Sequence, residues 1–570
     1  MKQILDEINS VLKRPEKPEK SFICGQDLRS IWATSSARIV TLLQPDQLSP
    51  DQIHIIQLRM IMILSTLVSV GAMDCLANFR SRFFDPSSGA PLLTDDDMPF
   101  TMEQLTFLDG GSALSQLFYQ RQFQFTPVVI EFTRNQRIQL IENRMARLPF
   151  IYSEQDIGEG SYGKVDRVRI PPGYIKGESG WVRDRVYEVA VKKIKVPEAF
   201  NEEVANLQIL KESLTVHNRI MLHLATIKHW LKHYILFPYA EYGDLELFLH
   251  CGRGPTGEIK YDFKKRFNNV HSSDITLPLL RQCWYLTDAL KWLHGGITVE
   301  KNSSTVLCAH MDLKPANILI QYDPESMIGT WMISDFGISV LKEEAPQQGA
   351  GIVSIYDYYS QLTMNSQPKR QEGTYQAPEV KLTEDASKQK SNLTPDQKGI
   401  GRRSDIWSYG CIFSEVLAFA LGGDKLVCEY QTARKGQDGK DYFYIEKEDR
   451  GHLSTPGTGP KQYQVHPKVL QWLDSLCGRP LNSQGWVDCY VETIKHILIV
   501  DTQKRPDATK LQVLVEHLLK TAAQFLVVFY EQKTEGWSPL TTAKNPKIRV
   551  PAIPSPPRLP TQARQEVARL

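Results

Sequence analysis

The sequence has little net charge, no closely spaced cysteine pair and no apolar run of membrane-spanning length, and each absence removes a class of protein. Its 67 Lys and Arg against 65 Asp and Glu give a formal net charge of +2, which disfavours a general nucleic-acid binder. The nine cysteines are scattered without a CxxC pair, which disfavours a zinc or redox site and is typical of reduced thiols. We therefore expect a cytoplasmic protein, with the nucleus as the alternative.

The most apolar stretch is MIMILSTLVSVGAM, residues 60–73. It is shorter than the roughly 20 residues needed to cross a bilayer, so we predict a buried helix. The opening MKQILDEINS has charges and no continuous apolar segment, which disfavours a signal peptide. We expect neither a membrane nor a nucleic-acid partner.

The chain of 570 residues, 42 % of them hydrophobic, is long enough for two or three domains. Residues 1–145 place apolar side chains at three- and four-residue spacing, which predicts a helical interaction or regulatory region. Short β-rich runs follow from residue 151 and long helical patterns follow residue 274, so we predict a two-lobed α+β domain over 151–519. Residues 520–536 should end its last helix, and the proline-rich residues 537–570 should be a disordered tail.

Two polar, glycine-rich insertions interrupt the second lobe, at residues 250–273 and 433–462. Their composition predicts surface loops.

A glycine-rich stretch, IGEGSYGKV, opens the two-lobed domain. Its three glycines would let backbone N–H groups approach a triphosphate, although a plain turn or a dinucleotide-binding loop uses the same spacing. A dinucleotide loop should open a helix, whereas a β-rich run follows here and favours a hairpin. The predicted nucleotide-binding residues in this stretch are Ile157, Gly158, Glu159, Gly160, Ser161, Tyr162, Gly163 and Val165.

The segment EVAVKKI places Lys192 on a strand, two residues after Ala190, where its ammonium can reach the α- and β-phosphates of a nucleotide. In FNEEVANLQIL the pattern E-x-x-x-L-x-x-L turns Glu203 to one helical face, from which it can pair with the lysine. Glu202 and Glu212 remain alternatives to Glu203.

The segment YILFPYAEYGDL fits a strand and a hinge between two lobes. There Phe237 would line the back of a pocket, and Pro238, which lacks an N–H, would offer its carbonyl to an adenine amino group. Ala240 would donate its N–H to the adenine, and Asp244 would hold the ribose hydroxyls.

The segments HMDLKPAN and ISDFGIS supply phosphoryl-transfer chemistry. Asp312 would orient an incoming hydroxyl and accept its proton, and Lys314 would meet the γ-phosphate. Asn317 and Asp335 would hold Mg²⁺.

With these motifs, and with GTYQAPE, SDIWSYG and a late arginine, the chain resembles the eukaryotic protein-kinase family from about Ile151 to about Leu519. The resemblance implies a bilobal kinase fold with ATP and Mg²⁺ between the lobes. It also implies that Glu379 and Arg505 form a buried ion pair and that Asp405 braces the catalytic loop. The family's stacked regulatory residues correspond to Leu207, His310 and Phe336.

Within that family, Lys314 in DLKPAN and Thr374 in GTYQAPE resemble the serine/threonine branch. The expected function is transfer of the ATP γ-phosphoryl group to Ser or Thr of protein substrates. The helical N-terminal region and the sequence around the glycine-rich loop also resemble those of kinases of filamentous fungi. One alternative is an ATP-binding pseudokinase scaffold; a small-molecule kinase is disfavoured because GTYQAPE and the late arginine build a peptide-binding platform.

Met311 stands where the family usually carries the arginine that pairs with a phosphate on the activation loop. No residue that touches ATP, Mg²⁺ or the acceptor is lost, so we expect a live site with different control. Phosphates on the long segment 335–379 would need another cation, for which Lys369 and Arg370 are candidates. We also hypothesise that residues 1–145 regulate activity by docking near the Glu203 helix, and that they and the tail form partner contacts.

Overall fold

The computed structural model describes residues 1–535 apart from 14 gaps. The gaps are 15–16, 34–35, 44–47, 109–110, 133–137, 161–162, 255–256, 268–274, 300–303, 344–372, 382–400, 437–438, 448–461 and 478–484. Met1–Thr521 forms one compact unit, and a second unit begins at Ala522. The predicted proline-rich tail lies outside the described residues.

The N-terminal region is built from eight helices in the part that the structure describes. They are Lys2–Ser10 (α1), Gly25–Ala33 (α2), Ser36–Leu43 (α3), Pro50–Arg59 (α4), Ile61–Val70 (α5), Met73–Ala77 (α6), Phe79–Phe83 (α7) and Gly111–Gln122 (α8). Ser49 is the N-cap of α4 and forms a capping box with Gln52. Gly71 ends α5 in the left-handed conformation, which glycine adopts without steric cost. One apolar cluster packs these helices together.

Helix α5 is the buried helix predicted from the apolar run, with Ile63, Leu64 and Leu67 fully enclosed. No single helix among the described residues has the length and hydropathy of a membrane-spanning helix. Helices α4 and α5 taken together have that length and hydropathy, but the two helices are bent by 84° relative to each other.

The first lobe is a six-stranded sheet in the order β2-β8-β9-β7-β4-β3. These strands are Gln139–Ile141 (β2), Ile151–Gly160 (β3), Gly163–Ile170 (β4), Tyr187–Ile194 (β7), Ala225–His229 (β8) and Lys232–Pro238 (β9). All neighbours are antiparallel except β2, which pairs parallel with β8. A small sheet of Ile130–Phe132 (β1), Ile175–Gly177 (β5) and Gly180–Val182 (β6) lies beside it.

The N-terminal region packs on one face of this sheet. Phe22 and Cys24 share an apolar cluster with Val189, Val191 and Leu236 of the central strands. The backbone N–H of Gly25 donates to the Tyr174 hydroxyl at 2.9 Å, which ties the entry of α2 to the same face.

Helix α9 (Pro197–Lys211) packs on the opposite face, where Phe200 lies 4.8 Å from the ring of His233. Strand periodicity explains the division, because Tyr234 and Leu236 of β9 face one way and His233 and Ile235 the other. The expectation that residues 1–145 dock near the Glu203 helix is therefore wrong for the contacts described: they cover the other side of the sheet.

The second lobe is mainly helical. Its helices are Leu245–Leu249 (α10), Phe263–Arg266 (α11), Thr276–Gly295 (α12), Arg402–Arg434 (α13), Pro467–Leu476 (α14), Trp486–Ile497 (α15) and Ala508–Glu535 (α16). Its strands are Ile297–Val299 (β10), Ser304–Ala309 (β11), Ile318–Gln321 (β12), Thr330–Ile333 (β13), Val340–Glu343 (β14), Tyr444–Glu446 (β15) and Tyr463–Val465 (β16). Helix α13 is kinked at Gly422 and Gly423, whose backbone angles are not helical.

The prediction of surface loops for the two insertions is wrong in part. In the first, Phe263 and Phe267 pack on Phe248 with ring centroids 5.4 and 5.0 Å away. In the second, β15 pairs with β16, which begins directly after the insertion, and Phe443 and Tyr444 are buried. Both insertions cover apolar surface, because aromatic residues are interspersed among their polar ones.

Candidate functional site

A buried lysine on β7 joins the two lobes. On the same strand, Val189 and Val191 face the N-terminal region. Side chains alternate along a strand, so Lys192, the residue after Val191, faces the other side of the sheet. The Nζ of Lys192 donates to both carboxylate oxygens of Glu203 on α9, at 2.7 and 2.9 Å. It also donates to Oδ1 of Asp335 in the second lobe, at 2.8 Å.

The charges of this triad are set by one another. Burial alone would lower the pKa of Lys192, but the charges of Asp335 and Glu203 outweigh it and hold the pKa above its usual value. Burial raises the pKa of Glu203 to about 7 against the opposing charge of the lysine. Burial also acts to raise the pKa of Asp335, but Lys192 lowers it overall. The lysine and Asp335 therefore stay charged at neutral pH.

Glu203 is the partner of Lys192, and neither of its two alternatives takes that place. Glu202 is exposed, and Glu212 accepts a hydrogen bond from Gln208 at 2.8 Å. The helical face predicted for Glu203 is present, since Leu207 is fully buried one turn further on.

The loop between β11 and β12 gathers the other predicted residues. Oδ2 of Asp312 accepts from Lys314 Nζ at 2.9 Å and from Asn317 Nδ2 at 3.1 Å. Asn317 also donates to the Asp312 backbone carbonyl at 2.7 Å, which closes the loop on itself. Both of these side-chain bonds reach Oδ2, and Oδ1 accepts no hydrogen bond from the part of the chain that the structure describes.

Asp405, in the first turn of α13, holds this loop from below. Its carboxylate accepts the backbone N–H groups of His310 and Met311, both at 2.8 Å, and it contacts His294 Nε2 at 2.9 Å. Burial would raise its pKa, but these partners, His294 foremost, lower it. Met311 is buried with a φ of 68°, a left-handed conformation that is uncommon outside glycine.

The buried ion pair expected between Glu379 and Arg505 is present, with N···O distances of 2.7 and 3.0 Å. Arg505 also donates to the backbone carbonyls of Arg403 and Ile499, at 2.7 and 2.8 Å. Within the described residues, the hydrogen bonds of this buried guanidinium go to carboxylate or carbonyl oxygens, as a desolvated charge requires.

Two of the three residues that the resemblance stacks, His310 and Phe336, are in contact. The rings of His310 and Phe336 lie edge to face with centroids 5.0 Å apart, and His310 Nε2 lies 2.8 Å from the Ser334 carbonyl oxygen.

Asn206 is a residue that the sequence reasoning missed. From α9 its Nδ2 donates to the backbone carbonyls of Phe336 and Ser339, at 3.0 and 2.9 Å. It therefore ties the helix that carries Glu203 to the segment that carries Asp335. Its position three residues after Glu203, on the same helical face, is the signal that was available.

A second missed cluster supports the segment before Glu379. The Tyr375 hydroxyl donates to Glu415 at 2.7 Å, and Glu415 pairs with Arg434 at 2.7 Å, with both charges fully buried. Thr374 donates to Asp441 at 2.6 Å. Because Asp441 lies in the second insertion, no local pattern indicated this contact.

The strands place the nucleotide-binding candidates along one edge of the cleft. β3 and β4 form the predicted hairpin, but Ser161 and Tyr162 at its tip lie outside the described residues. A side chain on Gly163 would overlap the Lys193 carbonyl of β7. This glycine is therefore required by strand packing, which is a different reason from the phosphate approach that we predicted.

The hinge candidates follow β9. Ala190 pairs with Phe237, and Val189 pairs with Pro238, the last residue of the strand. Asp244 begins α10 by accepting the Leu247 N–H at 2.8 Å, and burial raises its pKa to about 7. A backbone hydrogen bond from Glu246 also acts on this carboxylate, so Asp244 caps the helix, and its contact with a ribose hydroxyl stays a prediction.

The donor set fits Mg²⁺ and a nucleotide. Asn317 spends its amide nitrogen on Asp312 and keeps its amide oxygen, and Asp335 keeps one carboxylate oxygen beyond the lysine bond. The Ser334 N–H donates to the Asn317 carbonyl at 2.9 Å, which brings the two metal candidates together. Oxygen ligands of this kind suit Mg²⁺, and Lys192 supplies a cation for phosphates.

Residues 151–513 match the family model of the protein kinase domain. The match covers more than half of the chain, so the chain belongs to the protein kinase family. The predicted bilobal fold, a β-sheet lobe followed by a helical lobe and preceded by a helical region, is confirmed. The domain bounds and the roles of the individual site residues stay predictions.

Curated relatives are distant. The chain is 25 % identical over 303 residues to probable cyclin-dependent kinase 8 of Dictyostelium discoideum, which covers 51 % of this chain and 58 % of that protein. It is 26 % identical over 274 residues to cyclin-dependent kinase E-1 of Arabidopsis thaliana, covering 46 % of this chain and 43 % of the relative. The same identity holds over 265 residues of the MAP kinase kinase kinase mkh1 of Schizosaccharomyces pombe, covering 46 % and 18 %. The chain thus spans less than two thirds of each relative.

Proposed function

We propose that this chain is an active serine/threonine protein kinase that transfers the γ-phosphoryl group of ATP to hydroxyl groups of protein substrates. The observation that carries the proposal is the buried contact of Lys192 with both Glu203 and Asp335, since it assembles phosphate-binding and metal-binding groups from both lobes. The distant Ser/Thr kinase relatives support the choice of acceptor.

The residues divide the work. Lys192 holds the α- and β-phosphates, with its charge maintained by Glu203. Asp312 orients the acceptor hydroxyl and takes its proton on Oδ1, the oxygen left open by Lys314 and Asn317. The hydroxyl oxygen then bonds to the γ-phosphorus as the bond to ADP breaks. Lys314 stabilises the transferring phosphoryl group from the same loop.

Asn317 and Asp335 would hold Mg²⁺, which neutralises the charge that develops on the phosphates. Met311 does not weaken the proposal. Its side chain is buried, and the backbone N–H is held by Asp405, so the loop is positioned without a phosphate on the activation segment. Lys369 and Arg370 lie outside the described residues.

The test is transfer of labelled phosphate from ATP with Mg²⁺ to a mixed protein and peptide-library acceptor, using the full chain. Asp312→Asn should lower kcat by about 10³-fold or more, because asparagine has the size of aspartate but cannot accept the proton of the hydroxyl. Nucleotide binding, measured separately, should change less than twofold.

The matched control is Asp184→Asn, an exposed aspartate in the first lobe, which should transfer phosphate at the wild-type rate. The label should appear on phosphoserine and phosphothreonine. Equal ATP binding with no transfer by any variant would favour a nucleotide-binding scaffold instead.

A further inference from the structure

A basic cavity of about 220 Å³ lies where the N-terminal region meets the sheet, on the face away from the catalytic cleft. Five cations line it, against Glu19 as the one acid of the lining. The cations are Arg14, Lys20, Arg144, Arg147 and Lys232. Three separate chain segments supply them, so the fold gathers this charge from distant parts of the sequence.

The cavity is electrostatically unbalanced. Burial, and then the charges of Lys232 and Arg14, lower the pKa of Lys20. Burial likewise lowers the pKa of His229 against a hydrogen bond with the Asn143 carbonyl, and Lys232 and Arg147 lower it further, so this ring stays uncharged and does not offset the cations. Arg147 is 8 % exposed, and its Nε has no hydrogen-bond partner among the described residues. A buried donor in a cationic cavity calls for an anion.

An exposed apolar tip adjoins the cavity. The β8–β9 turn runs from His229 to Lys232, both lining residues, through Trp230 and Leu231, which are 52 % and 78 % exposed. The tip is held to the neighbouring strand β2, because the Trp230 N–H donates to the Ile141 carbonyl at 3.1 Å. Two exposed apolar side chains thus lie next to the cations.

The backbone of this tip is unusual as well. Trp230 has a φ of 55°, in the left-handed region that bulky residues rarely occupy. Asn or Gly would occupy such a turn with less strain. A large, exposed aromatic residue held in a costly conformation points to a contact made outside the chain.

We propose that this face binds a membrane surface whose lipid headgroups carry phosphate monoesters, with the cavity taking a headgroup phosphate and the Trp230–Leu231 tip entering the interface. Tryptophan beside lysines is the composition that membrane interfaces favour. A soluble phosphate compound would use the cations but would leave the apolar tip in water. The inference revises the expectation of no membrane partner and is independent of the proposed kinase activity.

This surface leaves the catalytic cleft open. On β7 the alternation that turns Lys192 to the cleft turns Lys193 to the cavity side, where its Nζ lies 4.5 Å from the centre of the Tyr152 ring. Tyr152 lines the cavity. One strand therefore separates the lipid-facing side from the nucleotide-facing side.

The test is co-sedimentation of the full chain with vesicles of phosphatidylcholine alone, with added phosphatidylserine, or with added phosphatidylinositol 4-phosphate. The wild type should partition most strongly onto the third. The Lys20→Gln/Lys232→Gln double variant should weaken that partitioning about 30-fold, as expected for two lysines near an anionic surface. Trp230→Ala should weaken it about tenfold.

Two matched controls test whether the loss of any exposed lysine or tryptophan weakens vesicle binding. Lys468→Gln removes an exposed lysine of α14, and Trp181→Ala removes a tryptophan that is 46 % exposed on another hairpin; both should bind like the wild type. Equal partitioning on all three vesicles, or no loss in the two cavity and tip variants, overturns the proposal. Binding of soluble inositol 1,4-bisphosphate without vesicle binding also overturns it, since the cavity would then serve a soluble anion.

Discussion

His223 is 2 % exposed, and neither ring nitrogen has a hydrogen-bond partner among the described residues. Burial, with a smaller effect from the charge of Lys211, lowers its pKa to about 3. The unfolded chain, in which a histidine has its ordinary pKa near 6.5, therefore binds a proton more readily than the folded chain. In the folded core the ring therefore stays neutral down to about pH 3, whereas in the unfolded chain it takes up a proton below pH about 6.5.

This residue predicts a pH dependence. Its contribution to the free energy of unfolding is fully present above pH about 6.5 and is lost as the pH falls toward about 3. Between pH 7.5 and 5.5 the wild type should lose about 1.4 kcal/mol more than His223→Leu. Urea unfolding at the two pH values measures the difference.

The control for this prediction is His54→Leu, at an exposed histidine of α4. It should show the pH dependence of the wild type. Parallel curves for the wild type and His223→Leu would mean that His223 is protonated in the folded chain, against the environment described.

At the scale of single elements, α9 links two sites. Glu203 reaches Lys192 from one turn, and Asn206 reaches the carbonyls of Phe336 and Ser339 from the next. A movement of this helix must therefore break an ion pair and two hydrogen bonds together. The helix sets the position of Asp335 as well as that of the lysine.

Asn206→Ala should lower kcat about tenfold. The substitution removes two hydrogen bonds to the segment that carries Asp335, each with a net contribution of about 0.5–1.5 kcal/mol. The KM for ATP should change less than twofold, since Lys192 and the hinge are untouched. Steady-state phosphate transfer with varied ATP measures both constants.

Asn201→Ala serves as the control, at an exposed asparagine of the same helix, and should retain the wild-type kcat. An Asn206→Ala enzyme with unchanged kcat, or a loss confined to KM, would contradict a positioning role for Asn206.

Elements also show what could be read from the chain and what could not. Lys192, Glu203, Asp312 and Asn317 were predictable because each sits in a short motif whose spacing fixes one side of a strand, helix or loop. The hairpin of β15 and β16 was missed, because glycine-rich flanks hid the short aromatic run that it buries. Asp441 was missed for another reason: its partner Thr374 is 67 residues away, and local patterns carry no information about such pairs.

At the scale of the whole molecule, the N-terminal region is part of the core of the first lobe. Phe22 is fully buried against strands β7 and β9. Sequence periodicity predicted helices there but did not fix which face of the sheet they would cover, because the central strands carry apolar side chains on both faces, and the side that we expected was wrong.

Phe22→Ala should therefore lower the free energy of unfolding by about 3 kcal/mol, the cost of removing a large side chain from a packed core. Leu58→Ala, at a leucine of α4 that is exposed, should change it by less than about 0.5 kcal/mol. Urea unfolding followed by intrinsic fluorescence measures both. A loss below about 1 kcal/mol at Phe22 would show that the region folds apart from the sheet.

The short strand β2 has one more effect on the molecule. By pairing with β8, it covers the backbone groups of that five-residue strand and leaves a shorter, three-residue strand at the edge of the sheet. An open edge can recruit a strand from another molecule and so seed aggregation. Because Gln139 pairs with Ile227 across a long stretch of sequence, the contact that covers β8 is a non-local one, which forms slowly. During synthesis, the first lobe is thus most exposed to self-association in the interval before β2 is in place.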